Sequence, residues 1–155
     1  MSEIDTLLKK LLDNVQSEEV GVEDYPIAQK HPDWIKIGKD KTYADITLEN
    51  VLNDTITAKE LRISSDILKK QGDIAKAGGR PTIKNNFLRA AELVRVPDER
   101  VLEMYNALRP YRSSKEELLA IATELETKYD APICAGFVKE AALHYERRKK
   151  LKGDN

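Results

Sequence analysis

Residues 104–122 read MYNALRPYRSSKEELLAIA, and this stretch decides the fold. It encodes two helices that meet at a fixed corner. Val101, Leu102, Tyr105 and Leu108 recur at helical spacing and carry one apolar face into the corner. Pro110 stops that helix, because its ring removes a backbone N–H and disfavours helical geometry at Arg109. A second helix restarts at Ser114. Ser114-x-x-Glu117 fits a capping box, in which hydroxyl and carboxylate satisfy free N–H groups reciprocally. Ser113-x-x-Glu116 fits the same pattern one residue earlier, and either can open the helix. Leu118, Ile121, Ala122, Leu125 and Tyr129 then mark an apolar stripe.

Working outward, the pattern stays helical. Pro132 opens a last helix with Cys134, Phe137, Val138, Ala141 and Tyr145 on one face. Its end is basic, with Arg147, Arg148, Lys149, Lys150 and Lys152 placed to complement the negative end of the helix dipole. Upstream, Val96-Pro97-Asp98 separates the corner's first helix from one lined by Ile83, Phe87, Leu88 and Ala91. Pro81 stands in the first turn of that helix, where its missing N–H costs nothing. Gly78-Gly79 suits the left-handed cap of a preceding helix that starts at Ser64 or Ser65 and carries Ile67, Leu68, Ile74 and Ala75. Thr47 and the box Thr57-x-x-Glu60 each open a short turn. No run alternates with period two for long enough to predict a strand.

The N-terminal part differs. Residues 24–46 hold Tyr25-Pro26, His31-Pro32, Trp34 and Tyr43 with little periodicity, and read as an extended arm with aromatic anchors. Trp34 either meets a partner, as Trp often does at binding hot spots, or fills the edge of its own domain. Residues 17–23 are acidic and short of large side chains, as in a linker. Before them, Ile4, Leu7, Leu8, Leu11, Leu12 and Val15 fall on one face of an amphipathic helix spanning 2–15. The expected class is all-α: an N-terminal amphipathic helix (1–16), a linker (17–23), and a domain (24–155) of short helices in which an extended arm leads into an open bundle.

Composition narrows the function. The chain has 155 residues, of which 34% are charged and 6% aromatic. With 26 basic and 27 acidic residues, its net charge of −1 exerts no overall pull on nucleic acid or anionic membrane. One cysteine, Cys134, excludes an intrachain disulfide. No apolar run is long enough to span a bilayer, and no secretory signal opens the chain. His31 and His144 are the only histidines, and no HxxxH, CxxC or ExxH spacing offers metal ligands. Cys134 shares a stripe with Phe137 and Val138 and reads as a buried apolar thiol. Gly78-Gly79-Arg80 lacks the Lys-Ser/Thr of a phosphate loop. Glu116 and Glu117 open the helix after the corner, where a DNA-recognition helix would approach phosphates, so they oppose a helix-turn-helix reading. No catalytic, cofactor-binding or metal-binding residue is named. The candidate interface residues are Trp34 and, on the constrained corner, Arg109, Tyr111 and Arg112. Residues alone therefore describe a helical, non-catalytic interaction protein.

A long run of motifs makes this concrete. NALRPYRSSKEELLAIA, preceded by RAAELVRVPDERVLEMY, is accompanied by DYPIAQKHPDW at 24–34, DITLENVL at 45–52, LRIS at 61–64, FVKEAA at 137–142 and RRKKLKGDN at 147–155. Together they resemble the small (gamma) subunit of adenosylcobalamin-dependent diol and glycerol dehydratases. The resemblance implies an (αβγ)₂ assembly with large (alpha) and medium (beta) subunits. That assembly converts propane-1,2-diol or glycerol to the aldehyde and water by a radical route. It implies substrate and potassium in the large subunit, adenosylcobalamin between large and medium subunits, and no cofactor held by this chain. An extension before the DYP motif resembles diol-type subunits. Such enzymes are housed in bacterial microcompartments, so residues 1–16 are expected to address a shell or cargo protein inside a bacterial cytoplasm. The competing class is a free-standing helical adaptor, nucleic-acid binding among its options.

Overall fold

The computed structural model describes residues 20–38 and 40–155. The amphipathic stripe from Ile4 to Val15, the 1–16 unit and residues 17–19 of the linker lie outside the described residues. Two helical hairpins make the bundle. In the first, α3 (Ser65–Ala77) packs on α4 (Pro81–Leu93). In the second, α6 (Lys115–Lys128) packs on α7 (Pro132–Arg148). Between them runs α5 (Asp98–Ala107), and before them two short helices, α1 (Ile27–Lys30) and α2 (Leu48–Leu52).

Local chemistry sets most of the ends. Ser64 caps α3 by accepting the Ile67 N–H, and Thr47 caps α2 by accepting the Asn50 N–H. After α3 the chain turns left-handed at Gly79 (φ 77°), while the Arg80 N–H reaches back to the Ala75 carbonyl at 2.9 Å. A β-carbon at Gly79 would face strain in this left-handed turn, which glycine accepts freely. Gly72 serves a different need. A β-carbon there would sit 3.1 Å from the Phe87 Cβ, so the bare backbone lets α3 and α4 approach.

The second hairpin carries the main core. Leu118 and Leu125 are fully enclosed by Val96, Met104, Ile121, Ala122, Cys134, Ala135, Val138 and Ala142. Small residues at Ala135 and Ala142 let α7 lie close against the leucines of α6. Arg100 ties α5 to α6 through a fork onto Glu124, with Nε 3.1 Å from Oε1 and Nη2 2.5 Å from Oε2. That pairing holds the Glu124 carboxyl below its usual range and raises the guanidinium's pKa, with Glu103 assisting.

Three details depart from the sequence reading. The inward face of α5 is Met104 with Val101 and Leu108, whereas Leu102 and Tyr105 point to solvent. On α7, Phe137 is half exposed with Arg89 over its ring, and Ala135 and Ala142 replace it in the core. Periodicity alone gave a stripe too wide, because neighbouring helices decide which edge is covered. The arm at 24–46 is not one extended run. Pro32 opens a 3₁₀ turn (Pro32–Trp34), a second spans Tyr43–Asp45, and β1 (Lys36–Ile37) pairs antiparallel with β2 (Lys41–Thr42). Strands of two residues are too short to display a period.

Glu92 joins the hairpins. Its carboxylate accepts the Ile133 and Cys134 N–H groups at 3.0 and 2.7 Å, capping α7 from α4. The expected cost of Glu92→Ala is ~1–2 kcal/mol, the range of a lost helix cap, and Leu118→Ala should cost ~2–5 kcal/mol through its cavity. Leu119→Ala, on the outer face, should cost under ~1 kcal/mol. Urea unfolding of the three variants tests this order, and equal midpoints for Leu118→Ala and Leu119→Ala would contradict the core described here.

Candidate subunit interface

The corner between α5 and α6 is closed by the end of the chain. The last carbonyls of α5 find side-chain donors: Ser113 Oγ donates to Ala107 O at 2.9 Å, and Tyr145 Oη donates to Leu108 O at 2.6 Å. Residues after α7 then run beside the corner. The Tyr111 N–H donates to Lys150 O at 2.8 Å, and the Lys152 N–H donates to Ser113 O at 3.0 Å. Lys149 adopts a left-handed conformation (φ 55°), which turns the tail back, and Leu151 packs on the core. The basic tail is thus not merely a solvated helix end. It forms the far wall of the corner.

Tyr111 is left-handed (φ 66°), a conformation costing an L-residue roughly 1–2 kcal/mol. Lys150 compensates on both sides, with its carbonyl on the Tyr111 N–H and its ammonium donating to the phenol oxygen. Tyr111 is therefore largely committed inside the fold, whereas Arg109 and Arg112, at either side, are exposed. The capping box at Ser114 forms as expected: Glu117 N–H to Ser114 Oγ at 3.2 Å, Ser114 N–H to Glu117 Oε2 at 2.7 Å.

Trp34 lies elsewhere. It stacks on His31 at 3.8 Å with the planes 6° apart, and Lys70 Nζ of α3 sits 4.0 Å from its ring centre. It packs against Ile27, Ile67 and Ile74, so it fills the arm's own contact with α3 while remaining partly exposed. His31 Nε2 meets Asp24 Oδ1 at 2.7 Å. The Gly21 N–H and then His31 hold the Asp24 carboxyl below its usual range. The structure thus brings Arg109, Tyr111 and Arg112 together and leaves Trp34 on the first hairpin.

Reactive groups do not converge. No set of three His, Cys, Asp or Glu side chains with metal-binding geometry occurs among the described residues. Cys134 is buried, and burial, with Glu92 adding to it, pushes its thiol up to about 12. His144 stands on the exposed side of α7 between Glu140 and Arg147.

What the surface offers instead is apolar area. Between residues 43 and 63, Tyr43, Ile46, Leu48, Val51, Leu52, Leu61 and Ile63 are all exposed, with Leu48 and Leu52 at 75%. Tyr43, Ile46, Leu61 and Ile63 line one shallow pocket, and exposed apolar surface that gathers in this way marks contact with another protein. The sequence reading missed it, because an apolar residue in a short helix is assigned to the core by default. A usable signal was present: Leu48, Val51 and Leu52 share one face of a helix of five residues, too short to seat that face on a core by itself.

Comparison with known proteins completes the picture. Residues 20–152 match the family model described as dehydratase small subunit. The chain belongs to the dehydratase small-subunit family. It is 58% identical over 139 residues to the propanediol dehydratase small subunit of Salmonella typhimurium, covering 90% of this chain and 80% of that protein. It is likewise 58% identical over 134 residues to the propanediol dehydratase small subunit of Citrobacter freundii, covering 86% and 78%. A member of this family is one part of a larger enzyme, which agrees with a chain whose surface is richer in apolar contacts than in converging reactive groups. Because its thiolate is disfavoured and its access closed, Cys134 should react with a small disulfide reagent at pH 8 roughly a hundredfold or more slowly than in the urea-unfolded chain. Comparable rates in the two states would mean that α7 is not seated as described.

Proposed function

We propose that this chain is the non-catalytic small subunit of an adenosylcobalamin-dependent propanediol dehydratase. The observation that carries the proposal is 58% identity, across nine-tenths of the chain, to a protein named propanediol dehydratase small subunit. In this reading the chain joins large and medium subunits in an (αβγ)₂ assembly, and the large subunit holds substrate and potassium. The cofactor lies between the large and medium subunits and supplies the radical chemistry. The small subunit contributes surface. Neither the family match nor the relatives' names support the free-standing adaptor reading.

The apolar residues between 43 and 63, with exposed Arg109 and Arg112, are the surfaces this role would use. In the same proposal, residues 1–16 address the assembly to a bacterial microcompartment, with Ile4, Leu7, Leu8, Leu11, Leu12 and Val15 as the face that is read. The apolar stripe supports that part.

Co-expression with the genes for the two larger subunits, followed by native mass measurement, tests the assembly. A hexamer with two copies of each chain is expected, and a monomer indifferent to both partners would overturn it. Leu52→Asp should weaken association about thirtyfold, the cost of losing a hot spot of ~2 kcal/mol, without lowering turnover once assembled. Residues 1–18 fused to a fluorescent reporter should be imported into compartments. A diffuse reporter beside an imported control would end the targeting proposal.

A further inference from the structure

An open groove of about 810 Å³ runs along the first hairpin. Val22, Tyr25, Ile27, Ile74, Ile83 and Phe87 are among its lining, and Gln71 and Arg80 are its only lining residues with an amide or a charge. Val22 and Tyr25 stand more than half exposed on it. Such a lining favours an apolar occupant over water or a polar ligand.

The chain itself leads there. Val20, the first described residue, packs on Ile27, Ile67 and Ile74, and all three line the groove. The residues before it, Met1 to Glu19, carry the stripe Ile4, Leu7, Leu8, Leu11, Leu12 and Val15. Val15 is five chain steps from Val20, which span at most about 18 Å. A segment on so short a tether meets the groove at an effective concentration on the order of millimolar. Even a weak apolar match is then captured within one molecule, ahead of any partner present at micromolar concentration.

We infer that the groove is the docking site for residues 4–15 of the same chain, which lay their apolar stripe along α3 and α4. A protein that reads this stripe must first draw it out, so the groove sets how readily the N-terminal segment is available. The inference goes beyond the subunit assignment and does not depend on it.

The test uses the full chain together with the subunits that co-purify with it. Single cysteines are placed in turn at Leu7, Leu8, Leu11 and Leu12, each against Ile83→Cys, and compared with cysteines at Lys9, Lys10 and Asp13 against the same partner. A docked stripe should form the intramolecular disulfide at least tenfold faster from the best leucine position than from any of the three polar positions. A free tether would cross-link all of them at similar rates, and that result overturns the proposal. A second measurement avoids any change near the core. Val22→Asp, at an exposed lining position, should raise the rate of tryptic cleavage after Lys9 and Lys10 at least tenfold. If another subunit fills the groove, no pair cross-links and Val22→Asp leaves cleavage unchanged, and the proposal fails.

Discussion

The bundle depends on one carboxylate. Pro132 opens α7 and removes one of the N–H groups that a helix start leaves free, and Ala131 at the cap position has no side chain to satisfy the others. Glu92 supplies what the segment lacks, from a helix forty residues away, by accepting the next two N–H groups. Its negative charge also lies at the positive end of the α7 dipole, where it stabilises the helix. The contact therefore does two jobs: it starts α7, and it fixes the first hairpin against the second. Cys134 is buried beside it, and that burial disfavours its thiolate.

At the other end of α7 the constraint is reversed. There the chain must leave the helix and return to the corner, and Lys149 turns left-handed to do so. Its N-terminal neighbours on α7 stay helical, and Tyr145 uses its hydroxyl to occupy a free carbonyl of α5. The corner is consequently a three-part structure of the end of α5, the start of α6 and the tail. Pro110 and the capping box determine where the helices break. The tail determines the angle at which that break is held, since it bonds to Tyr111 and to Ser113, on both sides of Arg112.

How much of this was legible follows from the range of each interaction. The caps at Thr47, Ser64 and Ser114 and the glycine turn at Gly79 involve partners within five residues, so the sequence displays them directly. Thr57 and Glu60 also make their local bonds, yet only a turn follows, because no apolar face beyond them packs on a neighbour. Glu92 on α7, Tyr145 on Leu108 and Lys150 on Tyr111 join residues about forty positions apart, and no spacing rule finds them. The arm was hard for another reason. Its turns are each three or four residues long, below any helical period, and its anchors are single residues such as Ile27, Ile37 and Trp34. Of the interface candidates, Arg109 and Arg112 lie exposed, whereas the role of Tyr111 required knowledge of where the tail goes.

The distribution of apolar side chains explains why such a chain belongs in an assembly. Leu118 and Leu125 show that the second hairpin completes its own core. The first hairpin does so less fully: Ile67 and Ile74 are buried against Trp34 and Ile35, but beside them Val22 and Tyr25 stand exposed along the open groove. Just beyond the arm, Leu48 and Leu52 have about three-quarters of their surface in water. Burying side chains of this size is worth ~1.5–3 kcal/mol each, so leaving several exposed forgoes a stabilisation comparable to that of a small domain, ~5–15 kcal/mol in total. A free-standing protein gains nothing from that arrangement, because the same residues promote non-specific association. In a subunit the forgone energy is recovered on docking. The self-sufficient hairpin then acts as a rigid support, with the incomplete hairpin and arm presenting the surfaces that other chains, or the chain's own N-terminal segment, complete.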